Sequence, residues 1–255
     1  LLDPLSQRMM GVRTDMTGQV ARISHTRLSN VERPLRLSYA GDVLRVKGTQ
    51  LRPERQFKQV GAELIGTNTT EAYVEIILLG YEALKDAGVN NLSIDLTVPL
   101  LVPVILKELA LEKEISDLVR CALDAKNIGE IANIKGEIGT ISRDLLKAAG
   151  PAEKSLKILR NIELPKKARE ICDELGKLIE LLKKIKPELV ITIDPGEYTG
   201  FEYQTGISFS LFASGVRGEL GRGGRYLVNA ECGDGEPATG FSLYPDSLMR
   251  ALGSF

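Results

Sequence analysis

Residues 39–66 constrain the fold of this chain most, because they read as a hairpin with a long, charged connection. The apolar residues on either side of the connection mostly favour β structure, and they are Val43, Leu44 and Val46 before it, and Phe57, Val60, Leu64 and Ile65 after it. The connection itself, residues 47–58, contains almost no large apolar side chain. Because long ordered connections are usually functional, we expect this hairpin to carry part of a functional site.

Three polar residues of the hairpin, Arg45, Gln59 and Glu63, lie close to the connection. Gln59 and Glu63 are an even number of residues apart, so a strand places both side chains on the same face of the sheet. Burying such a face costs free energy unless a ligand or internal partners satisfy its polar groups. Two interpretations stay open here, a ligand-binding face and a sheet face exposed to water.

The composition of the 255-residue chain narrows the classes of function. Its 33 basic and 34 acidic residues give a net charge of −1, which is not typical of nucleic-acid binders. Cys121, Cys172 and Cys232 are far apart and odd in number, which favours reduced thiols and a cytoplasmic protein. His25 is the single histidine, so a histidine-rich metal site is excluded. No apolar run approaches the roughly 20 residues of a membrane helix, and we expect neither a metal nor a cofactor.

Patterns along the rest of the chain predict the helices and strands. Asp15 or Thr17 is expected to cap a short first helix, and either residue could instead serve a binding site. Apolar spacing predicts a long helix over residues 70–87, which Gly88 ends. The remaining elements are a strand at 92–98, helices at 100–109, 112–125, 128–134, 140–149 and 166–185, and strands at 189–193, 207–213, 226–228 and 239–243.

This order of elements fits an α+β fold with a mostly antiparallel sheet better than a regular β–α–β series. We expect the helical block at residues 99–186 to be an insertion or subdomain. The core of the fold would then combine residues 1–98 with residues 187–255.

The glycine-rich stretch at residues 218–226 is neither a phosphate-binding P-loop nor a dinucleotide fingerprint, because no strand, glycine loop and helix surround it at the required spacing. It is expected to form a turn at which the backbone approaches another group closely. Two roles, the loop of a pocket or only the turn of a tight hairpin, therefore stay open for Gly223, Gly224, Arg225 and Tyr226.

Five short patterns together resemble the catalytic core of histidyl-tRNA synthetase. In chain order they are RTDMT at residues 13–17, the YAG…LR…RQF…QVGAELIG hairpin at 39–66, YQTG at 203–206, GGRY at 223–226 and PATGFSL at 237–243. The resemblance implies a class II aminoacyl-tRNA synthetase-like core, in which a mostly antiparallel sheet flanked by helices supports a site for ATP and an amino acid. It covers residues 11–66 and 203–252, whereas the helical middle corresponds only loosely to the family's insertion.

The resemblance carries a set of histidine-binding residues onto this chain, namely Asp15, Thr17, Arg45, Gln59, Glu63 and Tyr203. Asp15 stands where the synthetase has glutamate, and Arg45 matches an arginine that holds the phosphate of ATP.

On the nucleotide side the chain departs from the synthetase. Thr199 stands where the synthetase has its catalytic arginine, and Ser247 stands where it has a nucleotide-binding arginine. Tyr244 stands where it has a small glycine. The other departures are Lys47 and Leu227 in place of acidic residues and Gln204 in place of a tyrosine. Because arginines around a phosphate typically supply several kcal/mol each, their loss should abolish adenylate formation.

The chain keeps the residues on the amino-acid side of the site and has lost those on the nucleotide side. In this combination it resembles the regulatory subunit of ATP phosphoribosyltransferase, a synthetase paralogue. That resemblance implies a non-catalytic subunit that assembles with a short catalytic subunit, activates it and confers feedback by histidine in the first step of histidine biosynthesis. It further implies a homodimer within a hetero-oligomer, with no tRNA or membrane partner. The chain opens on Leu1, so we expect a preceding segment that includes the family's dimer-forming motif. The alternatives are a catalytic-core fragment of histidyl-tRNA synthetase and another non-catalytic synthetase paralogue.

Overall fold

The computed structural model describes residues 2–46, 55–197, 204–228 and 235–253. In this part of the chain the centre is an eight-stranded sheet. Its strands are β1 Leu35–Leu44, β2 Gln56–Ile65, β3 Leu92–Thr97, β4 Gly150–Pro151, β5 Val190–Asp194, β6 Ser208–Ala213, β7 Gly221–Val228 and β8 Glu236–Leu243. The spatial order is β1-β2-β8-β7-β6-β3-β5-β4, and neighbours run antiparallel except β3 and β5. The predicted α+β class with a mostly antiparallel sheet is confirmed.

Helices flank the sheet, and they are α1 Thr17–Thr26, α2 Thr70–Asp86, α3 Leu101–Glu108, α4 Lys113–Asp124, α5 Ile128–Asn133, α6 Gly136–Ala148, α7 Ala152–Asn161, α8 Lys166–Ile185 and α9 Pro245–Ala251. The predicted helix at residues 70–87 is confirmed as α2. The Thr69 side chain caps it by accepting the Ala72 N–H at 3.3 Å, and Gly88 follows its end with φ of +98°. Among the described helices, none combines the length and apolar character that a membrane crossing requires.

The block between β3 and β5 is nearly all helical, as predicted, but the sequence patterns miss α7. The helices expected at 140–149 and 166–185 leave residues 150–165 without an assigned element, and α7 occupies most of this stretch. In the structure Pro151 is the N-cap of α7, where a proline needs no backbone N–H. Leu175 and Leu178 of α8 join the same buried cluster as Ile94 of the sheet. The division into a core and a helical subdomain stays a prediction.

The predicted hairpin is confirmed, since β1 and β2 pair from Leu35 opposite Ile65 to Leu44 opposite Gln56. The strand β2 also pairs with β8 and therefore lies inside the sheet. As a result Gln59 and Glu63 are only 1% and 2% exposed. The interpretation of a sheet face exposed to water is wrong for these two residues. Residues 47–54 of the connection, Lys47 among them, lie outside the described residues.

Alternation along the strands gives the sheet one apolar and one polar face. On the apolar face, Leu64 and Phe209 are almost fully buried in a cluster that includes residues of α2 and α8. On the polar face, one row of paired positions runs from Ser242 through Arg222 and Ser210 to Asp95. A smaller apolar cluster, which joins α1 to the β1–β2 hairpin, closes one end of this polar face.

The glycine-rich stretch corrects a second expectation. Gly223 and Gly224 lie inside β7, paired with Phe241 and Gly240 of β8, and not in a turn or loop. A Cβ atom on Gly223 would lie 2.5 Å from the Phe209 ring and 2.3 Å from the Gly240 carbonyl oxygen. Close neighbours across the sheet, and not a turn, therefore require glycine at this position.

Candidate functional site

A cavity of about 190 Å³ opens on the polar face, between the start of α1 and strands β2, β7 and β8. Of the residues that the sequence singled out, those that line it are Asp15, Thr17, Arg45, Glu63, Gly223, Gly224 and Tyr226. Gln59 is hydrogen-bonded to this wall, and Tyr203 falls outside the described residues. The structure thus brings most of the predicted site residues together.

Glu63 is the buried acid of the cavity. Thr17 Oγ1 donates a hydrogen bond to its Oε1 at 3.3 Å, and the Tyr226 hydroxyl donates to its Oε2 at 3.0 Å. The carboxyl group packs directly over Gly240 of β8, where a Cβ atom would lie only 1.7 Å from Oε2, so glycine leaves the room that this group occupies. Burial raises the pKa of Glu63 to about 8, so the carboxyl is largely protonated in the empty cavity at neutral pH.

Asp15 and Gln59 form the second polar group of the wall. Gln59 Nε2 donates to Asp15 Oδ2 at 3.0 Å, and Gln59 Oε1 accepts the Met16 N–H at 2.9 Å. Asp15 Oδ1 accepts the Thr17 N–H at 2.7 Å, but the N-cap of α1 is Met16. Met16 has helical backbone angles and its side chain makes no capping hydrogen bond. The capping contact therefore comes from Asp15, one of the two residues expected to supply it, whereas Thr17 is already the first residue of the helix. Gln59 holds the Asp15 carboxylate against the sheet.

Tyr39 and Ser242 extend this network, although the sequence patterns assign a role to neither residue. The Tyr39 hydroxyl lies 2.9 Å from Ser242 Oγ, which also accepts from Gln59 Nε2 at 2.6 Å. Burial, together with the nearby Glu63, raises the pKa of Tyr39 above its ordinary range, so the hydroxyl stays protonated. Both residues lie within the matched hairpin and PATGFSL patterns, but only the strand register shows that they meet.

Two arginines complete the wall of the cavity. The Arg45 guanidinium lies 5.0 Å from the centre of the Phe57 ring, a cation–π contact. Arg222, which sequence reasoning missed, donates from Nε to Glu219 Oε2 at 3.0 Å. Arg222 precedes the GGRY pattern, and its place in the cavity follows from β7 being a strand.

Arg225 belongs to the opposite face of β7 and does not line the cavity. Its guanidinium lies 4.1 Å over the Tyr73 ring, pairs with Glu174 at 3.1 Å and donates to the Thr69 carbonyl at 3.2 Å. Of the two roles left open by the sequence, this arrangement favours a structural one for Arg225. Tyr226, in contrast, reaches Glu63 and belongs to the cavity wall.

The arrangement suits a small ligand that carries both a cationic and an anionic group. Glu63 and Asp15 supply acidic groups, while Arg45 and Arg222 supply positive charge. A cation beside Glu63 would favour the ionised carboxylate over the protonated one. Within the described ranges, no three His, Cys, Asp or Glu side chains are grouped in a way that could hold a metal ion. Free amino acids with a basic side chain match this distribution of charge.

The raised pKa of Glu63 predicts how stability depends on pH. The folded protein holds this proton more tightly than the unfolded chain, whose pKa is near 4.5. The resulting stabilisation is complete below pH 4.5 and is lost as pH rises through about 8. Glu63→Gln should therefore gain stability relative to the original protein between pH 5 and pH 8, on the order of a few kcal/mol. Urea unfolding across this range measures the difference.

Glu75→Gln is the control for this experiment. Glu75 is a half-exposed partner of Arg36, whose hydrogen bond lowers the pKa of that carboxyl. Its titration lies below the tested range, so the pH profile of this variant should run parallel to that of the original protein. A Glu63→Gln profile that also runs parallel would contradict the assignment of a buried, protonated Glu63.

Comparison with known proteins places this geometry in a family. Residues 1–248 match the family model described as histidyl-tRNA synthetase. The chain belongs to the histidyl-tRNA synthetase family. The chain is similar to curated proteins named ATP phosphoribosyltransferase regulatory subunit. It is 53% identical to the one from Rhodospirillum centenum and 50% identical to the one from Paramagnetospirillum magneticum, in each case over 252 residues. The matches cover 99% of this chain but only 64% and 65% of those relatives, so the chain spans about two thirds of their length.

Solved structures of this family share the fold. One titled as an ATP phosphoribosyltransferase regulatory subunit/histidyl-tRNA synthetase from Bacillus halodurans has a TM-score of 0.86 at 28% identity, covering 99% of this chain and 67% of that chain. Another, titled as an ATP phosphoribosyl transferase (HisG:HisZ) complex from Thermotoga maritima, has a TM-score of 0.74 at 21% identity, covering 96% and 84%. The second likeness shows the fold alone. The predicted class II synthetase-like core is confirmed.

Of the described residues that the resemblance marks as departures from the histidyl-tRNA synthetase pattern, Tyr244 lines the cavity. Tyr244, which the resemblance places where the synthetase has glycine, is 3% exposed, and its ring lies edge-on to Phe57 with centres 5.9 Å apart. Ser247, which the resemblance places where the synthetase has arginine, is 2% exposed and accepts a hydrogen bond from Arg250 at 3.0 Å. Gln204 is buried, and Leu227 is partly exposed. Thr199 lies outside the described residues.

Proposed function

We propose that this chain is a non-catalytic regulatory subunit of ATP phosphoribosyltransferase. In this proposal it assembles with the short catalytic subunit in a cytoplasmic hetero-oligomer, as a homodimer, and activates the first step of histidine biosynthesis. Histidine is the feedback effector. The names of the relatives at 50–53% identity support the assignment, and the charge distribution of the cavity supports histidine.

The observation that carries the proposal is the contrast between the two sides of the cavity. On one side, Glu63, Gln59 and Asp15 form a continuous set of hydrogen bonds with Thr17 and its backbone N–H. On the other side, the Tyr244 ring packs against Phe57, where the synthetase pattern has only glycine. A wall that suits an amino acid beside a ring that fills nucleotide space favours a sensor over an adenylating enzyme.

Regulation in this proposal follows from differential affinity. Histidine bound with its cationic groups near Glu63 and Asp15 would stabilise whichever state of the assembly has the better-formed cavity. A ligand shifts an equilibrium between two states only by the difference of its affinities for them. Coupling energies of this kind are typically about 1–3 kcal/mol. The same coupling requires that the catalytic subunit alter the affinity of the cavity for histidine.

Reconstitution with the short catalytic subunit tests the proposal. Adding this protein should raise transferase activity, and histidine should then lower that activity in a concentration-dependent way. Glu75→Gln, whose side chain is remote from the cavity, should behave like the original protein. Transferase activity that is unchanged by the added protein would contradict the proposal.

The family match itself favours a second candidate, the catalytic core of a histidyl-tRNA synthetase. This candidate requires that adenylate form with Tyr244 and Ser247 in place. An assay of histidine-dependent exchange between ATP and pyrophosphate separates the two functions. We expect no exchange above background, whereas robust exchange would support the synthetase. Another non-catalytic paralogue would be indicated if the protein failed to capture the transferase subunit.

A further inference from the structure

We propose that Arg222 makes the cavity specific for amino acids over the corresponding amines, by holding the carboxylate of the ligand. The inference rests on the proposed function, because it takes the cavity to be an amino-acid site. Arg222 is not among the residues carried over by resemblance. Its place on the cavity wall follows from the register of β7.

The backbone of Arg222 is fixed on both sides. β7 lies between β6 and β8, and Arg222 is paired with Ser210 on one side and Ser242 on the other. Side chains on strands between two partners hold their positions better than side chains on connections. Ser242 belongs to the Gln59 network, so Arg222 lies one strand away from the groups expected to bind the ligand.

The side chain of Arg222 is also oriented before any ligand arrives. Its Nε donates to Glu219 Oε2 at 3.0 Å, and Ser210 Oγ donates to the same oxygen at 3.4 Å. The ion pair is partly buried, with side-chain exposures of 34% for Arg222 and 18% for Glu219. A planar guanidinium held in one orientation is well suited to bind a carboxylate.

Arg45 is the other cation of the cavity, and its setting differs. It follows Leu44, the last residue of β1, and its guanidinium stacks on Phe57. Its position therefore depends on the end of a strand and on an aromatic ring. Arg222 is held by two strands and an ion pair, so the geometry assigns the carboxylate to Arg222.

Electrostatics explains why this arginine would act on specificity. Asp15 and Glu63 attract an ammonium or imidazolium group, and a simple amine would satisfy them as well as an amino acid does. Arg222, a cation on the wall of the same cavity, repels a bare amine and attracts the carboxylate of a zwitterion. Glu219 offsets part of the charge of Arg222 while the cavity is empty. Arg222 therefore selects the zwitterion mainly by attracting its carboxylate, and its repulsion of the bare amine adds to this preference.

Calorimetric titration of the purified protein with L-histidine and histamine tests the inference, since histamine lacks only the carboxylate. The original protein should prefer L-histidine by at least about tenfold. Arg222→Gln should reduce this preference to below about threefold, through loss of affinity for L-histidine. Arg222→Lys keeps the charge without the planar group and should be intermediate, and it also serves if Arg222→Gln fails to fold.

Arg36→Gln is the matched control, since Arg36 lies on β1 in an exposed ion pair with Glu75. It should retain the full preference for L-histidine. A preference that survives in Arg222→Gln, or one that is lost in Arg45→Gln instead, would overturn the inference. So would an original protein that binds histamine as tightly as L-histidine.

Parallel titrations separate this inference from the proposed function. The second and third pairs are arginine with agmatine and lysine with cadaverine. If histidine does not bind but another amino acid is preferred over its amine in an Arg222-dependent way, the role of Arg222 stands and the histidine proposal fails. If none of the three amino acids binds, both are overturned.

Discussion

Glu63→Ala is expected to weaken histidine binding by at least about a hundredfold. Glu63 is 2% exposed and lies at the back of the cavity, held by Thr17 and Tyr226. Alanine removes the buried acid that would pair with the cationic group of the ligand. It also leaves both hydroxyl groups without their acceptor. Isothermal calorimetry with L-histidine at pH 7.5 measures the change.

Glu75→Ala is the control for this prediction, because it removes a half-exposed carboxylate on α2 that pairs with Arg36. Its affinity for histidine should stay within about twofold of the original value, as exposed ion pairs contribute little. Gln59→Ala should fall between the two variants. Unchanged affinity in Glu63→Ala would place the histidine sensor elsewhere, for example at a subunit contact.

Tyr244→Ala is expected to lower the free energy of unfolding by about 3–5 kcal/mol, as large-to-small substitutions of buried aromatic residues do. The Tyr244 ring is 3% exposed and shares a small cluster with Met16, Val43 and Phe57. Its removal leaves a cavity and takes away the edge-on ring contact with Phe57. Urea unfolding followed by circular dichroism measures the loss.

Tyr244→Phe keeps the ring and is the matched variant. It should retain most of the stability, so that the difference between the two variants reports the ring alone. An unfolding midpoint for Tyr244→Ala equal to that of the original protein would show that the ring does not fill this space. Tyr244 would then not close the nucleotide side of the cavity.

Much of the hairpin could be predicted from local rules. Alternating apolar residues defined both strands, and the even spacing of Gln59 and Glu63 placed them on one face. Their burial could not be predicted in the same way, because it depends on β8, which lies almost 180 residues away along the chain. The pairing of Glu63 with Gly240 shows how the carboxyl group is accommodated, since glycine leaves room for it against β8.

The glycine-rich stretch shows the limit of local rules most clearly. Glycines commonly mark turns, so the sequence favoured a turn, whereas Gly223 and Gly224 lie in a strand crowded by neighbours. Because residues 221–228 form a strand, alternation places the side chains of Arg222 and Tyr226 on one face of the sheet and that of Arg225 on the other. This separation decides which arginine reaches the cavity, and it could not be read from a presumed turn.

Calorimetric titrations of the same purified protein with histidine and with MgATP show which of the two ligands the cavity accepts. We expect saturable binding of histidine and no saturable binding of MgATP, with histidine present or absent. Tight binding of MgATP, or formation of histidyl-adenylate by this protein, would contradict this expectation.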